Sequence, residues 1–138
     1  MTTSITYEGE LRCVATHNQS GTKIETDAPT DNRGKGERFS PTDSVCMALG
    51  TCIATTMAIK ASDKGIELKG TTLNVQKYMS TEPPRRIVKI EVTVNFPALN
   101  LDEKDKQLLE NTGNGCPVAR SLHPDLEQVI TYNWGNNE

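Results

Sequence analysis

The sequence predicts an α+β protein, and three observations lead to that class. Segments that alternate apolar and polar residues, the pattern of half-buried strands, occur before, between and after two segments that carry helix signals. The helix signals lie near Ser40 and Asn100. The strands come in runs instead of alternating singly with helices, which favours antiparallel pairing and an α+β arrangement. The chain has 138 residues, so we expect a single domain over residues 1–138.

The N-terminal third is predicted to hold strands followed by a long loop. Residues 4–18 are rich in β-forming side chains and predict one or two strands broken near Gly9. Residues 18–21 are a turn signal, and residues 22–26 predict a returning strand. Residues 27–39 are polar and contain two glycines, which predicts a loop of a length that is usually functional or mobile.

A capping signal predicts that the first helix begins directly after this loop. Ser40 suits the N-cap, Pro41 the first helical position, and Asp43 the partner position of a capping box. We expect the helix to end near residue 63, with Gly65 as its stop. Its apolar residues fall on nearly every face, which predicts burial on most sides. The apolar run at 45–59 is expected to be too short and too polar to span a bilayer.

The remaining chain predicts two strands, a broken helix and a last strand. Residues 66–79 and 87–96 alternate and are predicted to form a hairpin. Asn100, with Glu103 as its partner, is expected to cap a helix that runs to about residue 111. Glycines at 113–115 interrupt it, a short helix restarts at Cys116 and ends near residues 123–124, and residues 126–134 form a strand.

Composition excludes several classes of function. The net charge is −3 and the pI is about 5.4, without a run of Lys or Arg, which argues against binding to nucleic acid or to an anionic membrane. The N-terminus has neither the basic nor the apolar segment of a signal peptide, so we expect a cytoplasmic protein. Only 35% of residues are hydrophobic, which favours an obligate dimer with a shared core.

Two of the four cysteines lie where a thiol can be reactive. Cys52 lies in the apolar helix and is either a small core residue or a nucleophile. Cys116 lies at a helix start, where backbone N–H groups and the helix dipole, with help from Arg120, can lower a thiol pKa. Alternatively, Pro117 restarts the helix and Cys116 only precedes it. No CxxC motif occurs, and the sequence indicates no role for the two remaining thiols, Cys13 and Cys46.

Three charged residues could support a reactive Cys52. Asp43 is either a helix cap or a carboxylate that orients an arginine. Nine residues separate it from Cys52, about 13.5 Å along one helix, so it would act through a bridging residue or from a second subunit. Arg33 and Arg38, in the loop before the helix, are either solvated or the source of a cation beside the thiolate.

Other chemistries find little support. His17 and His123 match no closed metal-site spacing with the cysteines, so we expect no metal. No Gly-x-Ser-x-Gly motif and no phosphate-binding glycine loop is present, so we expect neither a serine hydrolase nor a nucleotide cofactor.

Taken together, the motifs resemble those of the OsmC/Ohr family, in its OsmC-like branch. The resemblance runs through almost the whole chain, and the last three of the following segments are specific in combination. The segments are Tyr7-Glu-Gly9, Thr26-Asp-Ala-Pro29, Gly34-Lys-Gly36, Phe39-Ser-Pro-Thr-Asp43, Ala48-Leu-Gly-Thr-Cys52 and Cys116-Pro-Val-Ala-Arg-Ser-Leu122.

The resemblance implies a fold and an activity. The fold would have two central helices against curved antiparallel sheets, and two chains would intertwine as a homodimer with each active site at the subunit interface. By position, Cys52 would be the peroxidatic cysteine and Cys116 the resolving one. Members of the family reduce organic hydroperoxides, are regenerated by dithiols such as lipoylated proteins, and need no metal or cofactor.

One departure from the family keeps other functions open. The family's well-characterised enzymes place Glu directly after the helix-start proline, whereas this chain has Thr42 there and the acid one step later, at Asp43. The first hypothesis is a thiol peroxidase. The second is a redox-sensing protein of the same fold with little turnover, and the third is a small-molecule binder or thiol-dependent enzyme unrelated to peroxide.

Overall fold

The computed structural model describes residues 1–135, and the chain divides into two units, residues 1–45 and residues from 46 onward. The predicted α+β class is confirmed. The elements in chain order are β1 (Thr3–Gly9), β2 (Arg12–His17), β3 (Lys23–Asp27), α1 (Pro41–Ser62), β4 (Thr72–Met79), β5 (Ile87–Ala98), α2 (Glu103–Asn114), α3 (Pro117–Ser121) and β6 (Glu127–Gly135). That the chain forms one domain stays a prediction.

The first unit is built on an antiparallel sheet in the order β1-β2-β3. The predicted break near Gly9 is confirmed, since Glu10 and Leu11 both have positive φ, 54° and 63°, and form a tight turn between β1 and β2. In this register Arg12 of β2 lies opposite Asp27 of β3. Their side chains are therefore neighbours on one face of the sheet.

The predicted loop before α1 contains one turn of 3-10 helix, Thr30–Asn32. The backbone folds closely on itself here, because a Cβ at Gly34 would lie 1.6 Å from the Ala28 carbonyl oxygen. The base of the loop is closed by a hydrogen bond of 3.1 Å from the Asp27 N–H to the Phe39 carbonyl oxygen. The loop thus has a defined path that depends on glycine at position 34.

The capping box predicted for α1 is confirmed. The Ser40 hydroxyl accepts a hydrogen bond from the Asp43 N–H at 2.9 Å, and the Asp43 carboxylate accepts one from the Ser40 N–H at 3.0 Å. The helix ends at Ser62, and Gly65 follows with φ of 70°. The predicted boundaries therefore agree with the structure to within about one residue.

The prediction that α1 is buried on most sides was wrong for the single chain. The buried side chains form one stripe at helical spacing. They are Cys46, Leu49, Gly50, Ile53, Met57 and Ala61. The other side of the helix also carries apolar groups, but Met47 and Ile59 are 39% and 65% exposed. The sequence pattern could not distinguish these two sides because both are apolar.

By length and composition alone, α1 is long and apolar enough to cross a membrane. The expectation that this segment is too short and too polar was wrong on those two criteria, because the helix extends beyond the apolar run on both sides. Core helices of soluble proteins meet the same criteria.

In the second unit, a Cβ at Gly50 would lie 3.1 Å from Val75 of β4, so α1 approaches the sheet closely there.

The sheet of the second unit has the order β4-β5-β6 and is mixed. The hairpin of β4 and β5 is antiparallel as predicted, but β6 runs parallel to β5, so the expectation of purely antiparallel sheets was wrong. The physical reason is the long connection through α2 and α3. A helical crossover of this length returns the chain to the same end of the sheet, which is what a parallel pair requires.

The second helix is capped by Asp102, and the prediction of Asn100 was wrong. The Asp102 carboxylate accepts a hydrogen bond of 2.8 Å from the Asp105 N–H, so Asp105 occupies the third helical position. The helix also continues through Gly113, where the sequence predicted an interruption. A Cβ there would lie 2.5 Å from the Tyr132 hydroxyl, so glycine allows close contact between α2 and β6.

Candidate active site

The structure brings Cys52 and Cys116 together. Cys52 projects from α1 and is partly buried, whereas Cys116 is the N-cap of α3 and is fully buried, with 0% of its surface exposed. The two thiols lie close enough that each shifts the pKa of the other. Spacing along the sequence left this pairing open, since 64 positions separate the residues. Both thiols belong to the second unit.

The turn between α2 and α3 places Cys116. Gly115 closes the end of α2 through its N–H, which donates to the Asn111 carbonyl oxygen, and the Cys116 N–H donates to the Gly113 carbonyl oxygen at 3.3 Å. Pro117 then begins α3, with its fixed φ suited to a first helical position. The Cys116 Sγ accepts from the Ala119 N–H at 3.5 Å, so this thiol serves as the helix cap.

The surroundings of Cys52 lower its pKa. Burial, the largest single effect, would raise it, but three hydrogen bonds together outweigh burial. They come from the Val118 N–H, from the Thr56 hydroxyl, whose oxygen lies 3.8 Å from Cys52 Sγ, and from the Cys116 thiol. All three groups are neutral. Cys52 is therefore the thiol of this pair that ionises first.

The surroundings of Cys116 raise its pKa. Burial is the main cause, and the hydrogen bond and negative charge of Cys52 add to it, while the Ala119 N–H acts in the opposite direction. The expectation that the helix start lowers the pKa of Cys116 was therefore wrong. At Cys116 the N–H groups at the start of α3 are outweighed by burial, whereas at Cys52 the Val118 N–H contributes to a net lowering. Because the two thiols interact, their titration belongs to the pair, with Cys52 as the thiolate and Cys116 as the thiol.

Arg120 braces the turn that carries Cys116. Its Nε donates to the Gly115 carbonyl oxygen at 2.7 Å, and the side chain is otherwise exposed. The sequence suggested that Arg120 assists a thiolate at Cys116. The observed bond instead fixes the backbone directly before Cys116.

Two residues of the site were not predicted. Thr56 lies one helical turn after Cys52, and the signal that could have identified it is the i, i+4 spacing on one helix. Tyr132, on β6, donates to the Glu110 carbonyl oxygen at 3.2 Å and to Asn114 Oδ1 at 2.9 Å. Burial raises the pKa of Tyr132, and negative charge on Glu110 and Cys116 adds to this rise. Nothing in the local sequence indicates that Tyr132 lies near Cys116.

The other predicted site residues lie in the first unit. Asp43 holds the capping box of α1, and Arg33 is exposed, with φ of 68°. Arg38 donates to the Glu37 carbonyl oxygen at 3.0 Å and lies 3.7 Å from the Glu25 carboxylate. Their roles in supporting Cys52 stay predictions.

The first unit also contains a partly buried ion pair that the sequence did not reveal. Arg12 donates from Nε and Nη2 to the two oxygens of Asp27, at 2.7 and 2.8 Å. Asp27 is 1% exposed and also accepts from the Glu37 N–H at 3.2 Å. The Arg12 guanidinium, with help from that N–H, lowers the pKa of Asp27 despite burial.

Among residues 1–135, no group of three or more His, Cys, Asp or Glu side chains could hold a metal ion.

Comparison with known proteins places this site in a wider context. The family model described as OsmC-like protein matches residues 34–129, a range that contains both Cys52 and Cys116. Among solved structures, a protein from Psychrobacter arcticus 273-4, provisionally named an osmotic stress induced and detoxification response protein, is 44% identical to this chain. Its TM-score is 0.90, with 96% of this chain and 95% of that chain covered. The comparison with curated proteins gave no match.

More distant structures share the fold. The organic hydroperoxide resistance protein OsmC of Legionella pneumophila has a TM-score of 0.75 at 12% identity, with 96% of this chain and 97% of that chain covered. An organic hydroperoxide resistance protein of Elizabethkingia anophelis has a TM-score of 0.74 at 16% identity, with 99% of this chain and 97% of that chain covered. These two likenesses are evidence for the fold alone.

Proposed function

Since the chain belongs to the family of OsmC-like proteins, we propose that it is a thiol peroxidase that reduces organic hydroperoxides to alcohols. The observation that carries this proposal is the contact between Cys52 and Cys116, whose pKa values shift in opposite directions. A two-cysteine peroxidase needs one thiolate that attacks the peroxide and one resolving thiol that stays protonated until it closes the disulfide. This pair meets both requirements.

In the first step, the Cys52 thiolate attacks the distal oxygen of the hydroperoxide. A sulfur–oxygen bond forms while the oxygen–oxygen bond breaks, and the alkoxide leaves and takes a proton from water to become the alcohol. Cys52 is oxidised to a sulfenic acid and the peroxide is reduced. The three neutral hydrogen-bond donors lower the pKa of Cys52 and so increase the fraction of the attacking sulfur that is thiolate.

In the second step, Cys116 closes a disulfide with Cys52. Once Cys52 has become a sulfenic acid, the negative charge that raised the pKa of Cys116 is gone, so Cys116 loses its proton more readily. Its sulfur attacks Cys52 Sγ, the sulfur–oxygen bond breaks, and hydroxide leaves with a proton as water. The two thiols already influence each other's pKa in the reduced protein, so we expect this step to need little movement.

In the third step, an external dithiol reduces the disulfide. One thiolate of the dithiol attacks a disulfide sulfur, and the second thiol displaces the mixed disulfide, which returns both cysteines to the reduced form. We propose a dithiol or a lipoylated protein as the reductant.

An organic hydroperoxide suits the apolar helix around Cys52 better than hydrogen peroxide does. The name of the Psychrobacter arcticus relative, which refers to detoxification, agrees with a role in stress response.

We further propose that two chains form a homodimer in the cytoplasm, without nucleic-acid or membrane partners. Apolar side chains that are exposed in the single chain support this assembly, including Met47 and Ile59 on α1. Arg33, Arg38 and Asp43 would then support the bound peroxide, and both arginines are exposed in the single chain, where they could contact a partner's site. An arginine would polarise the oxygen–oxygen bond during attack, a role separate from holding the resting thiolate.

A redox sensor with little turnover is the second candidate. Asp43 and Arg38 already have local partners, in the capping box and with Glu25, and these contacts compete with a role in catalysis. A sensor would form the same disulfide but would not be reduced efficiently.

Steady-state turnover distinguishes the two functions. Reduced protein would be mixed with cumene hydroperoxide and dihydrolipoamide, and peroxide loss would be followed over many equivalents. The peroxidase proposal predicts continued consumption, faster with cumene hydroperoxide than with hydrogen peroxide. Consumption that stops after one equivalent per chain would support the sensor, and equal rates with both peroxides would contradict the preference for organic substrates.

A further inference from the structure

Thr56 is the one polar side chain besides Cys116 that the structure places against the Cys52 sulfur within the second unit as described. It lies one turn further along α1, it is partly buried, and its Oγ1 is 3.8 Å from Cys52 Sγ. The contact is within the longer range that sulfur acceptors allow. On the surface of α1, Thr56 and the solvent-exposed Thr51 lie on opposite sides of Cys52.

Other helical threonines in the chain use their hydroxyls differently. The hydroxyls of Thr51 and Thr112 donate to the carbonyl oxygens of Met47 and Leu108, four residues earlier, at 2.9 and 2.8 Å. Thr55 makes the same kind of bond to the carbonyl oxygen of Thr51. This local bond is the ordinary choice for a threonine inside a helix. The Thr56 hydroxyl, in contrast, is directed to the sulfur of Cys52.

The direction of this hydrogen bond depends on the state of Cys52. When Cys52 is a thiol, either group can donate. When it is a thiolate, only the hydroxyl can donate, and hydrogen bonds to a charged acceptor are stronger than those between neutral groups. The contact therefore stabilises the thiolate more than the thiol.

Thr56 differs from the other two donors in what it does during the reaction. The Cys116 thiol is consumed when the disulfide forms, and the Val118 N–H belongs to the backbone. The Thr56 hydroxyl is neither consumed nor part of the backbone. It can hold the sulfur in place both before and after attack on the peroxide.

We propose that Thr56 is a positioning residue of the Cys52 thiolate, which it holds by donating a hydrogen bond from its hydroxyl to Sγ. As a statement about catalysis this inference rests on the proposed function. As a statement about the thiolate it can be tested without peroxide, so the two can fail separately.

The first test measures the rate at which iodoacetamide alkylates Cys52 as a function of pH, with the Cys52 peptide resolved by mass spectrometry. Thr56→Val keeps the shape and β-branching but removes the hydroxyl, Thr56→Ser keeps the hydroxyl, and Thr55→Val removes a neighbouring hydroxyl directed elsewhere. We expect Thr56→Val to raise the midpoint so that the thiolate fraction at neutral pH falls roughly threefold to tenfold. Thr56→Ser and Thr55→Val should keep the wild-type midpoint.

A second feature of the same profile separates a lost hydrogen bond from general loosening. A thiolate of higher pKa is a stronger nucleophile, and the logarithm of its rate constant rises by about half of the increase in pKa. Thr56→Val should therefore react more slowly than wild type at neutral pH and faster at high pH, so that the two curves cross. A wild-type profile in Thr56→Val, or the same shift in Thr55→Val, would overturn the inference.

Peroxide kinetics then connect the inference to the proposed function. With cumene hydroperoxide, the rate of Thr56→Val should fall about twofold to threefold at neutral pH, less than its thiolate fraction, for the same nucleophilicity reason. If wild-type protein does not react with the peroxide at all, the proposed function fails while the alkylation profile still decides the role of Thr56. If wild type reacts and Thr56→Val reacts equally at every pH, the role of Thr56 fails alone.

Discussion

The two units of the chain each stabilise an anion, and they do so by different means. In the first unit, the Asp27 carboxylate is paired with Arg12 through two short hydrogen bonds and receives a backbone N–H as well. In the second unit, the Cys52 thiolate receives only neutral donors. A full counter-charge keeps Asp27 ionised at all ordinary pH values, which suits a structural role. Neutral donors lower the pKa of Cys52 but leave its sulfur free to act as a nucleophile.

The largest effect on activity is expected from loss of the resolving thiol, Cys116. Cys116→Ser leaves the Cys52 sulfenic acid without a partner, so turnover with dithiol should fall by roughly 100-fold or more, while the first attack on peroxide persists. Mass spectrometry after excess cumene hydroperoxide should find Cys52 as sulfinic or sulfonic acid. The control is Cys46→Ser, which changes a buried thiol of α1, the helix that also carries Cys52. This control should retain disulfide formation. Unchanged turnover in Cys116→Ser would contradict the pairing.

The next largest effect is expected on stability, from removal of the counter-charge in the first unit. Arg12→Met leaves the Asp27 carboxylate buried without its partner, and breaking a buried pair on one side is strongly destabilising. We expect Tm to fall by several degrees in thermal unfolding followed by circular dichroism. The double variant Arg12→Met with Asp27→Leu should recover much of this loss. A double variant as unstable as the single one would indicate that the pair is not the source of the effect.

Acid should weaken the first unit through the same pair. Arg12 lowers the pKa of Asp27 below its ordinary value of about 3.8–3.9, so the stability that the pair contributes is present above that value and is lost as the pH falls through the lower, folded pKa. Tm of wild type should therefore fall more steeply below about pH 4 than Tm of Asp27→Asn, which cannot titrate there. Parallel curves for the two proteins would contradict the assignment.

A smaller effect is expected from Tyr132→Phe. This change removes the hydroxyl that donates to the Glu110 carbonyl oxygen and to Asn114 at the end of α2, just before Cys116. We expect a loss of about 1 kcal/mol in the free energy of unfolding and a larger fraction of over-oxidised Cys52 at high peroxide, because Cys116 is held less firmly. Tyr78→Phe, which removes an exposed hydroxyl bonded to Glu91, is the matched control and should change neither quantity.

The smallest effect is expected from salt, and it tests the comparison between the two anions directly. Ions screen charge–charge attraction far more than hydrogen bonds from neutral groups. Raising the salt concentration from about 50 mM to about 500 mM should therefore leave the pH midpoint of Cys52 alkylation in the resting protein almost unchanged. A clear rise of that midpoint would mean that a cation, such as one of the loop arginines, holds the thiolate.

Prediction from the sequence succeeded where the signal is local. The capping box of Ser40 and Asp43, the start of α3 after Cys116, and the strand break near Gly9 each depend on a few neighbouring residues. Family resemblance supplied the cysteine pair, which no spacing rule could give. Asn100 failed as a cap because Asp102, two residues later, is an equally good capping type.

Prediction failed where the outcome depends on contacts that are distant in sequence. The parallel pairing of β6 follows from the path of α2 and α3, which the strand pattern alone does not specify. The opposite pKa shifts of Cys52 and Cys116 depend on burial and on the Val118 N–H, and neither is visible in residue spacing. Tyr132 and the pair of Arg12 with Asp27 were missed for the same reason, since each joins different elements of the fold.

The two-cysteine mechanism is tested most directly by a count of free thiols after one equivalent of cumene hydroperoxide is added to fully reduced protein, with Cys52→Ser measured in parallel. We expect rapid loss of two thiols per chain in wild type, with peptide mapping that joins Cys52 to Cys116, and no rapid loss in Cys52→Ser. Retention of all thiols in wild type, or equal loss in Cys52→Ser, would contradict the proposal that Cys52 attacks the peroxide and Cys116 resolves it.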